Sequence, residues 1–209
     1  MPHLSELTRP VVLRDGAAPV PSTWPPSARS RLLAAVAQRA TITGFLDVTV
    51  DDVIVAARAS RRTFYEHFAN REECLLASYD LICADTMQLV AEAGPGLRPS
   101  LTALLHYFAA WPTHAHVLCV DILAAGPPGI ARHEATMAHL AAAIARCQDP
   151  ADRPAPGALR SDDVPHAILG AMHRIVQRRL VDGRHESLPR LAPAICTLLA
   201  AERRGSVTP

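Results

Sequence analysis

Apolar residues recur along most of this chain at spacings of three and four, in segments separated by glycine and proline. That spacing puts the apolar side chains on one face of an α-helix. The first such segment lies between Ser27, a suitable N-cap, and Gly44, a suitable stop. A longer segment lies between Asn70 and Gly94, with the same kinds of signal at its ends. The pattern therefore predicts two substantial helices in the first half of the chain.

Two shorter segments lie between these helices. Thr49 can cap a helix over residues 50–57, and Ser60 can cap another over residues 61–68. Two short helices joined by a turn of a few residues have the arrangement of a helix-turn-helix. The second helix of that motif enters the major groove of DNA.

The rest of the chain also has helical spacing, and we find no internal repeat and no convincing strand. Alanine supplies much of the 49% hydrophobic content and aromatic residues supply 4%, which favours close-packed helices over a sheet. The predicted fold class is all-α. The further helices are predicted over residues 101–111, 113–126, 130–148, 162–183 and 186–204.

The first 26 residues contain six prolines and little periodicity, so we expect an extended or disordered arm. The beginning of the sequence lacks the apolar core of a signal peptide, and no run of 18 apolar residues is present. The five cysteines are odd in number and widely scattered, which argues against a disulfide framework or a structural zinc site. We expect a soluble cytoplasmic protein that does not interact with membranes.

Candidate chemistry is concentrated in residues 57–76. This segment holds four arginines, one histidine and three of the nine Phe, Trp and Tyr residues of the chain. The net charge of the whole chain is only +1, so a nucleic-acid site has to be a local patch such as this one.

The second short helix divides these side chains between two faces. Phe64 and Phe68, four residues apart, share one face and should be buried. Arg62 and Glu66 point the opposite way, with Thr63 beside them. Arginine can bind guanine through two hydrogen bonds, and a threonine methyl can contact the thymine methyl, so this outward face suits base recognition. The flanks of the helix carry Arg61, Tyr65 and His67.

The segment TFYEHF at residues 63–68, with its surroundings, resembles the DNA-binding signature of the TetR/AcrR-type transcriptional regulators. The sequence departs from that signature in the turn, where Ala-Gly-Val/Ile-Ser is usual and Arg58 takes the place of the glycine. Glycine there accommodates a positive φ, which costs a residue with a side chain about 1 kcal/mol. The other matching positions are Gly44-Phe45, Thr49-Val50, Ala57, Ser60 and Arg71-Glu72.

The resemblance implies a role for each polar residue of this region. Arg71 stands where the family commonly has a lysine and keeps the positive charge. The residues implied to read bases are Arg61, Arg62, Thr63 and Glu66. The residues implied to hold phosphates are Thr49, Ser60, Tyr65, His67 and Arg71.

The resemblance also implies an organisation for the whole chain. The implied protein is a homodimeric transcriptional repressor, which binds a pseudo-palindromic double-stranded DNA operator and is released by a small-molecule effector. The homodimer is expected to form through the last two long helices. The implied parts are a flexible arm (residues 1–26), a three-helix helix-turn-helix DNA-binding domain (27–73), a helical ligand-binding and dimerisation domain (74–204) and a flexible tail (205–209).

Candidates for the effector pocket and the dimer interface follow from side-chain type and spacing. Flexible, aromatic and mixed-polarity groups can line a small-molecule cavity, and apolar stripes on the last two helices can form a seam between two copies. Both sets are also typical of the ordinary core of a single chain. The pocket candidates are Met87, His106, Tyr107, Trp111, Met137 and Met172, and the interface candidates are Ile168, Met172, Ile175, Ile195 and Leu198.

Three other functions stand as alternatives. A DNA-binding or partner-binding helical protein without a ligand has the same N-terminal features. Ten histidines suggest a metal sensor, but no pair of them lies at ligand spacing beside carboxylates or thiolates. The chain lacks GxSxG, P-loop, GxGxxG and HExxH motifs, so we predict no enzyme activity, no catalytic residue, no cofactor and no metal site.

Overall fold

The computed structural model describes residues 24–94, 97–146 and 163–197, and every regular element within these ranges is helical. This confirms the predicted all-α fold class. The N-terminal part consists of α1 (Ala28–Thr43), a 3-10 turn (Phe45–Asp47), α2 (Val50–Ala57) and α3 (Arg61–His67).

The caps read from the sequence determine where these helices begin and end. The Ser27 hydroxyl accepts a hydrogen bond from the Ser30 N–H at 3.1 Å, and α1 ends at Gly44, whose φ is 81°. Thr49 and Asp52 form a reciprocal capping box at the start of α2, which satisfies two N–H groups that the helix itself cannot pair. Local sequence therefore fixes the boundaries of the first two helices.

Helix α4 (Arg71–Glu92) joins the N-terminal helices to the rest of the molecule. It packs along α1, where the Ser78 hydroxyl donates to the Leu33 carbonyl at 3.1 Å. One cluster of buried apolar side chains runs from α1 through α4 to Ile195. The division between residues 73 and 74 that we predicted thus lies inside a continuous helix and beside a shared core.

The C-terminal part packs its helices around the second half of α4. Residues 191–197 are helical and follow the last 3-10 segment. The preceding elements are α5 (Leu97–Ala110), α6 (Pro112–Cys119), a 3-10 segment (Asp121–Ala125), α7 (Pro127–Arg146), α8 (Asp163–Val181) and a 3-10 segment (His185–Arg190).

The helix predicted over residues 113–126 is interrupted at Val120, whose φ and ψ are −128° and −62°. The chain continues there as a 3-10 segment against the start of α7. A side chain at Gly129 would place its Cβ 2.1 Å from the Ile122 carbonyl oxygen, so glycine permits this close approach. The segment predicted from residue 186 begins as a 3-10 segment containing Pro189, which cannot donate a backbone hydrogen bond.

Trp24 differs from the prediction of a flexible arm over residues 1–26. Its side chain is only 3% exposed, and its indole N–H donates to an Asp85 carboxylate oxygen at 2.6 Å. Its ring stacks on the His114 imidazole, with centroids 5.4 Å apart. The segment before α1 is therefore anchored to α4 and α6 by residue 24.

Among the described helices, α4 has the length and apolar composition that a membrane-spanning helix needs. Core helices of soluble proteins share this property. In α4, Leu75, Ile82 and Leu89 are all buried, and their seven-residue spacing puts them on one face towards the core. Packing within the protein thus accounts for the apolar residues on this face of α4.

Candidate nucleic-acid interface and effector cavity

The turn between α2 and α3 places Arg58 in the left-handed region, with φ 50° and ψ 49°. Arg58 is the one described non-glycine residue with a positive φ. The turn closes when the Ala59 N–H donates to the Ile54 carbonyl at 2.9 Å. From α1, Arg31 Nε donates to the Ala57 carbonyl at 3.1 Å, and this hydrogen bond holds the end of α2 against α1. The left-handed conformation expected at this position is present without the glycine.

The inner face of α3 is held by two phenylalanines. Phe64 is fully buried and Phe68 is 3% exposed, with ring centroids 5.9 Å apart. The Arg29 guanidinium lies 5.4 Å from the Phe68 ring centroid, within the range of a cation–π contact. The two rings predicted to be core therefore anchor α3 so that its opposite face is turned outward.

The residues predicted to read bases lie on this outward side of α3. Arg61, Arg62 and Glu66 are exposed and Thr63 is half-buried. Arg61 makes an ion pair with Asp51 of α2 at 2.5 Å, and Arg62 pairs with Glu66 at 2.9 Å. Exposed pairs of this kind contribute about 0–1 kcal/mol, so they add little to the stability of the fold.

The hydroxyl groups predicted to hold phosphates already cap helices. The Ser60 hydroxyl accepts from the Thr63 N–H at 3.0 Å, and the Thr49 hydroxyl donates to Asp52 at 2.6 Å. That hydrogen bond from Thr49 holds the pKa of the Asp52 carboxyl below its usual value. The two flanking candidates, Tyr65 and His67, are exposed.

Arg71 has internal partners that sequence reasoning did not reveal. Its Nη1 donates to the Leu46 carbonyl at 2.8 Å and also contacts the Val48 carbonyl. Its guanidinium lies 5.1 Å from the Phe45 ring centroid. Arg71 thus clamps the 3-10 turn that leads into α2, and a phosphate contact by this residue stays a prediction.

A cavity of about 80 Å³ lies between α4, α5, α6, α7 and α8. Three of the six predicted pocket residues, Met87, Met137 and Met172, line it. The sequence reasoning did not select His133 and His173, which also line it and whose rings meet edge to face at 4.9 Å. Histidine spacing alone gave no signal for this pair, because the two residues come from different helices.

The other three pocket candidates do not line the cavity. His106 is exposed, and Tyr107 and Trp111 are buried beside His114. The His114 imidazole stacks on Trp111 at 4.9 Å, and its Nδ1 shares a 2.6 Å hydrogen bond with the Tyr107 hydroxyl. Complete burial lowers the pKa of His114 to about 3. These rings form a packed core around a neutral histidine instead of a ligand site.

The predicted interface residues lie in two environments. Met172 and Ile195 are buried within the chain, at 9% and 5% exposure, whereas Ile175 is 38% exposed on α8. The side chain of Ile168 and the whole of Leu198 fall outside the described residues. Of these candidates, Ile175 is the described one that offers a surface to a second copy.

In the part of the chain that the structure describes, no group of three or more His, Cys, Asp or Glu side chains is placed to hold a metal ion. His116 pairs with Asp121 at 3.0 Å. The His133–His173 pair is accompanied by apolar side chains and by the Cys83 and Cys119 thiols around the cavity.

Comparison with known proteins supports the N-terminal site. Residues 32–78 match the model of the family described as bacterial regulatory proteins, tetR family. This range contains α2, α3 and the turn between them. Comparison with curated proteins found no match.

Solved structures share the fold over most of the chain. The fatty acid degradation regulator FadR from Bacillus halodurans has a TM-score of 0.67 at 15% identity, over 85% of this chain and 96% of that one. The dihydroxyacetone kinase operon activator DhaS has a TM-score of 0.61 at 18% identity, over 87% of this chain and 98% of that one. A TetR-like transcriptional regulator from Rhodococcus sp. RHA1 has a TM-score of 0.58 at 18% identity, over 82% and 98%.

Proposed function

We propose that the chain is a homodimeric, sequence-specific repressor of the tetR family of bacterial regulatory proteins, whose model matches residues 32–78. It binds a pseudo-palindromic DNA operator in the cytoplasm and leaves it when a small molecule occupies the cavity. The DNA-binding part of the proposal rests on the two different faces of α3. Phe64 and Phe68 fix one face in the core, and Arg61 and Arg62 stand exposed on the other.

Within this proposal α3 enters the major groove. Arg61, Arg62, Thr63 and Glu66 contact base edges, since they lie on the outward side of the helix. Thr49, Ser60, Tyr65, His67 and Arg71 hold the phosphates on either side.

Effector release is supported by the position of the cavity. Its walls include α4 and α6, and both of these helices also pack on α1. A ligand that fits the cavity better in one arrangement of α4 and α6 favours the matching arrangement of the two α3 helices in the dimer. Release requires only that the ligand bind more tightly to the conformation that does not fit the operator.

Selection of bound duplexes from a random library tests DNA reading directly. We expect a two-fold symmetric site whose affinity falls steeply with salt, because phosphate contacts release counterions. Arg62→Ala should then lose about 1–3 kcal/mol of discrimination at one base position. Tyr65→Phe should weaken binding to all duplexes alike. Absence of enrichment from folded protein contradicts the proposal.

Sedimentation equilibrium tests the homodimer. Ile175→Arg introduces a charge on the exposed face of α8 and should convert a dimer to monomers, while Arg174→Ala, one position away, should leave the dimer intact. If wild type sediments as a monomer at the concentration that saturates the operator, the proposed dimer is wrong.

A further inference from the structure

The cavity wall is apolar over most of its surface. Leucine, methionine and phenylalanine side chains from the surrounding helices form it, including Leu101, Leu105 and Phe108 from α5. Three of the four methionines of the chain take part. A ligand here loses much of its contact with water, and a formal charge in such surroundings is costly unless it is paired.

Most polar groups of the described lining already have partners. The Thr86 hydroxyl donates within α4 to the Ile82 and Cys83 carbonyls, at 3.0 and 2.9 Å. The Cys83 thiol lies 3.7 Å from the Thr136 hydroxyl, and both side chains also bond to Tyr79. These groups satisfy one another and leave little hydrogen-bonding capacity for a ligand.

The His133–His173 pair is different. His133 is hydrogen-bonded to the backbone of Leu118, and His173 to the backbone of Cys119. Both carbonyls belong to the last turn of α6, where the helix itself provides no partners. Each imidazole therefore uses its N–H on the backbone.

Burial lowers the pKa of both imidazoles, and the proximity of His133 lowers that of His173 further, so both are neutral at pH 7. A neutral imidazole has one donor nitrogen and one acceptor nitrogen. With the donor committed to a carbonyl, the nitrogen left on each ring is an acceptor. The described side chains around them are uncharged at this pH apart from Glu134, which acts on His133 electrostatically.

We propose that the cavity binds an uncharged, largely apolar molecule that donates a hydrogen bond, such as an alcohol or a phenol, to the His133–His173 pair. This inference rests on the proposed function, because it names the ligand class of the effector site. An ether of equal size lacks the donor and leaves both acceptors unsatisfied. A carboxylate brings a charge and no donor, and two neutral imidazoles do not compensate for it.

The cavity volume sets the size of the probes. A volume of about 80 Å³ corresponds to about five to eight water-sized groups, since one such group needs on the order of 10–15 Å³ on this measure. Suitable probes are 1-hexanol, its isomer methyl pentyl ether, and hexanoate. The first two have the same atoms and nearly the same size, and only the alcohol has an oxygen that carries a hydrogen.

The methionines supply the readout. We would label the methionine methyl groups with ¹³C in the full chain and titrate each probe at pH 7.5. Hexanol should shift the signals of Met87, Met137 and Met172 saturably, with a Kd at least tenfold below that of the ether. Hexanoate should produce no saturable shift at the same concentrations.

Variants assign the effect to the imidazoles. His173→Leu and His133→Leu should each raise the Kd for hexanol towards that of the ether, while the Kd for the ether changes by less than twofold. His106→Leu, at an exposed position away from the cavity, is the matched control and should bind both probes as wild type does. Two independent lining variants keep the test usable if one of them unfolds.

The outcomes separate the ligand class from the regulatory role. Equal affinity for hexanol and the ether, preferred binding of hexanoate, or no shift with any probe overturns the proposed ligand class. If hexanol binds as expected but leaves operator affinity unchanged, the ligand class stands and the proposed effector release fails. Failure of the wild type to bind any duplex refutes DNA reading and leaves the cavity result intact.

Discussion

At the scale of single residues, helix α3 makes an ion pair with a carboxylate that lies outside it. Asp51 of α2 holds Arg61 at 2.5 Å, and both side chains are more than half exposed. The pair is too exposed to matter much for folding. Its effect is on the direction of the Arg61 guanidinium, which has to approach a base edge in one plane to make two hydrogen bonds. Asp51 is thus a positioning residue for a proposed base contact.

We expect Asp51→Asn to raise affinity for all duplexes, because it removes a negative charge beside the phosphates, and to reduce discrimination at the base read by Arg61 several-fold. The melting temperature should hardly change. Binding to duplexes varied at each position, measured at two salt concentrations, checks both effects. Asp47→Asn removes the same charge from the exposed turn before α2 and should raise affinity without relaxing specificity. Identical behaviour of the two variants would show that Asp51 acts by charge alone.

His114 makes stability depend on pH. Its pKa is about 3 in the folded chain and about 6.5 when unfolded. The unfolded state therefore binds one more proton between these values, and stability falls as pH drops below 6.5. Between pH 7 and pH 5.5 we expect this residue to lower the free energy of unfolding by about 1 kcal/mol. Urea titrations at the two pH values measure it.

The control for this effect is His114→Gln, which offers Tyr107 a hydrogen-bonding partner that does not titrate. The variant should lose less stability than wild type over the same pH interval, although it is less stable at pH 7. His133 and His173 are still present in it and contribute in the same direction, since their pKa values are also lowered. Equal losses in the two proteins would mean that His114 is accessible to protons in the folded state.

At the scale of elements, the turn between α2 and α3 stores backbone strain. Arg58 adopts φ 50° although it carries a side chain, which costs about 1–2 kcal/mol. Glycine removes that strain. It also raises the entropy of the unfolded state, which lowers the stability by about 0.5–1 kcal/mol. We expect Arg58→Gly to stabilise the protein by about 0.5–1 kcal/mol, measured as a shift of the denaturation midpoint at constant slope.

Arg58→Ala separates the backbone from the side chain. It removes the guanidinium but keeps a Cβ in the left-handed conformation, so it should not stabilise. If both variants weaken operator binding equally, the Arg58 side chain contacts DNA. If Arg58→Gly gives no gain in stability, the turn is not strained.

The N-caps show which features of the fold can be predicted from the sequence. Ser27, Thr49, Ser60 and Asn70 all accept the hydrogen bonds expected of N-caps, because such bonds form within a few residues. The break at Val120 was not predictable in this way. It depends on the approach of α7 at Gly129, and a contact between distant segments leaves no periodic signal.

The candidate site shows the same difference between features set by neighbouring residues and features set by contacts between distant segments. The two faces of α3 follow from positions in one helix, and both were predicted. The clamp that Arg71 makes on the turn before α2 joins residues about 25 positions apart, and the imidazole pair joins α7 to α8. Such contacts depend on the packing of whole helices, which side-chain type and spacing do not specify.

At the scale of the whole molecule, Trp24 connects the N-terminal helices to the helices that surround the cavity. It lies just before α1, and its side chain contacts Asp85 of α4 and His114 of α6. One turn beyond His114, α6 contributes Leu118 and Cys119 to the cavity wall. In the proposed mechanism, a shift of α6 on ligand binding would reach the start of α1 through the stacked rings. Trp111 stacks on His114 as well, but from within the C-terminal part.

We expect Trp24→Phe to reduce the coupling between cavity and operator. The phenyl ring can still pack on His114, but the hydrogen bond to Asp85 is lost and with it the link to α4. The measurement is the ratio of operator Kd with and without saturating 1-hexanol, which should fall several-fold towards one. Hexanol affinity without DNA should stay within twofold of wild type, because Trp24 does not line the cavity.

The matched control is Trp111→Phe, since it alters the second ring that stacks on His114 and leaves the link between Trp24 and Asp85 in place. It should lower the melting temperature, as Trp24→Phe does, and keep most of the coupling ratio. If both variants reduce the ratio equally, the effect reflects general loosening of the core. If neither reduces it while hexanol still releases wild type from DNA, the signal passes through the packing of α4 on α1.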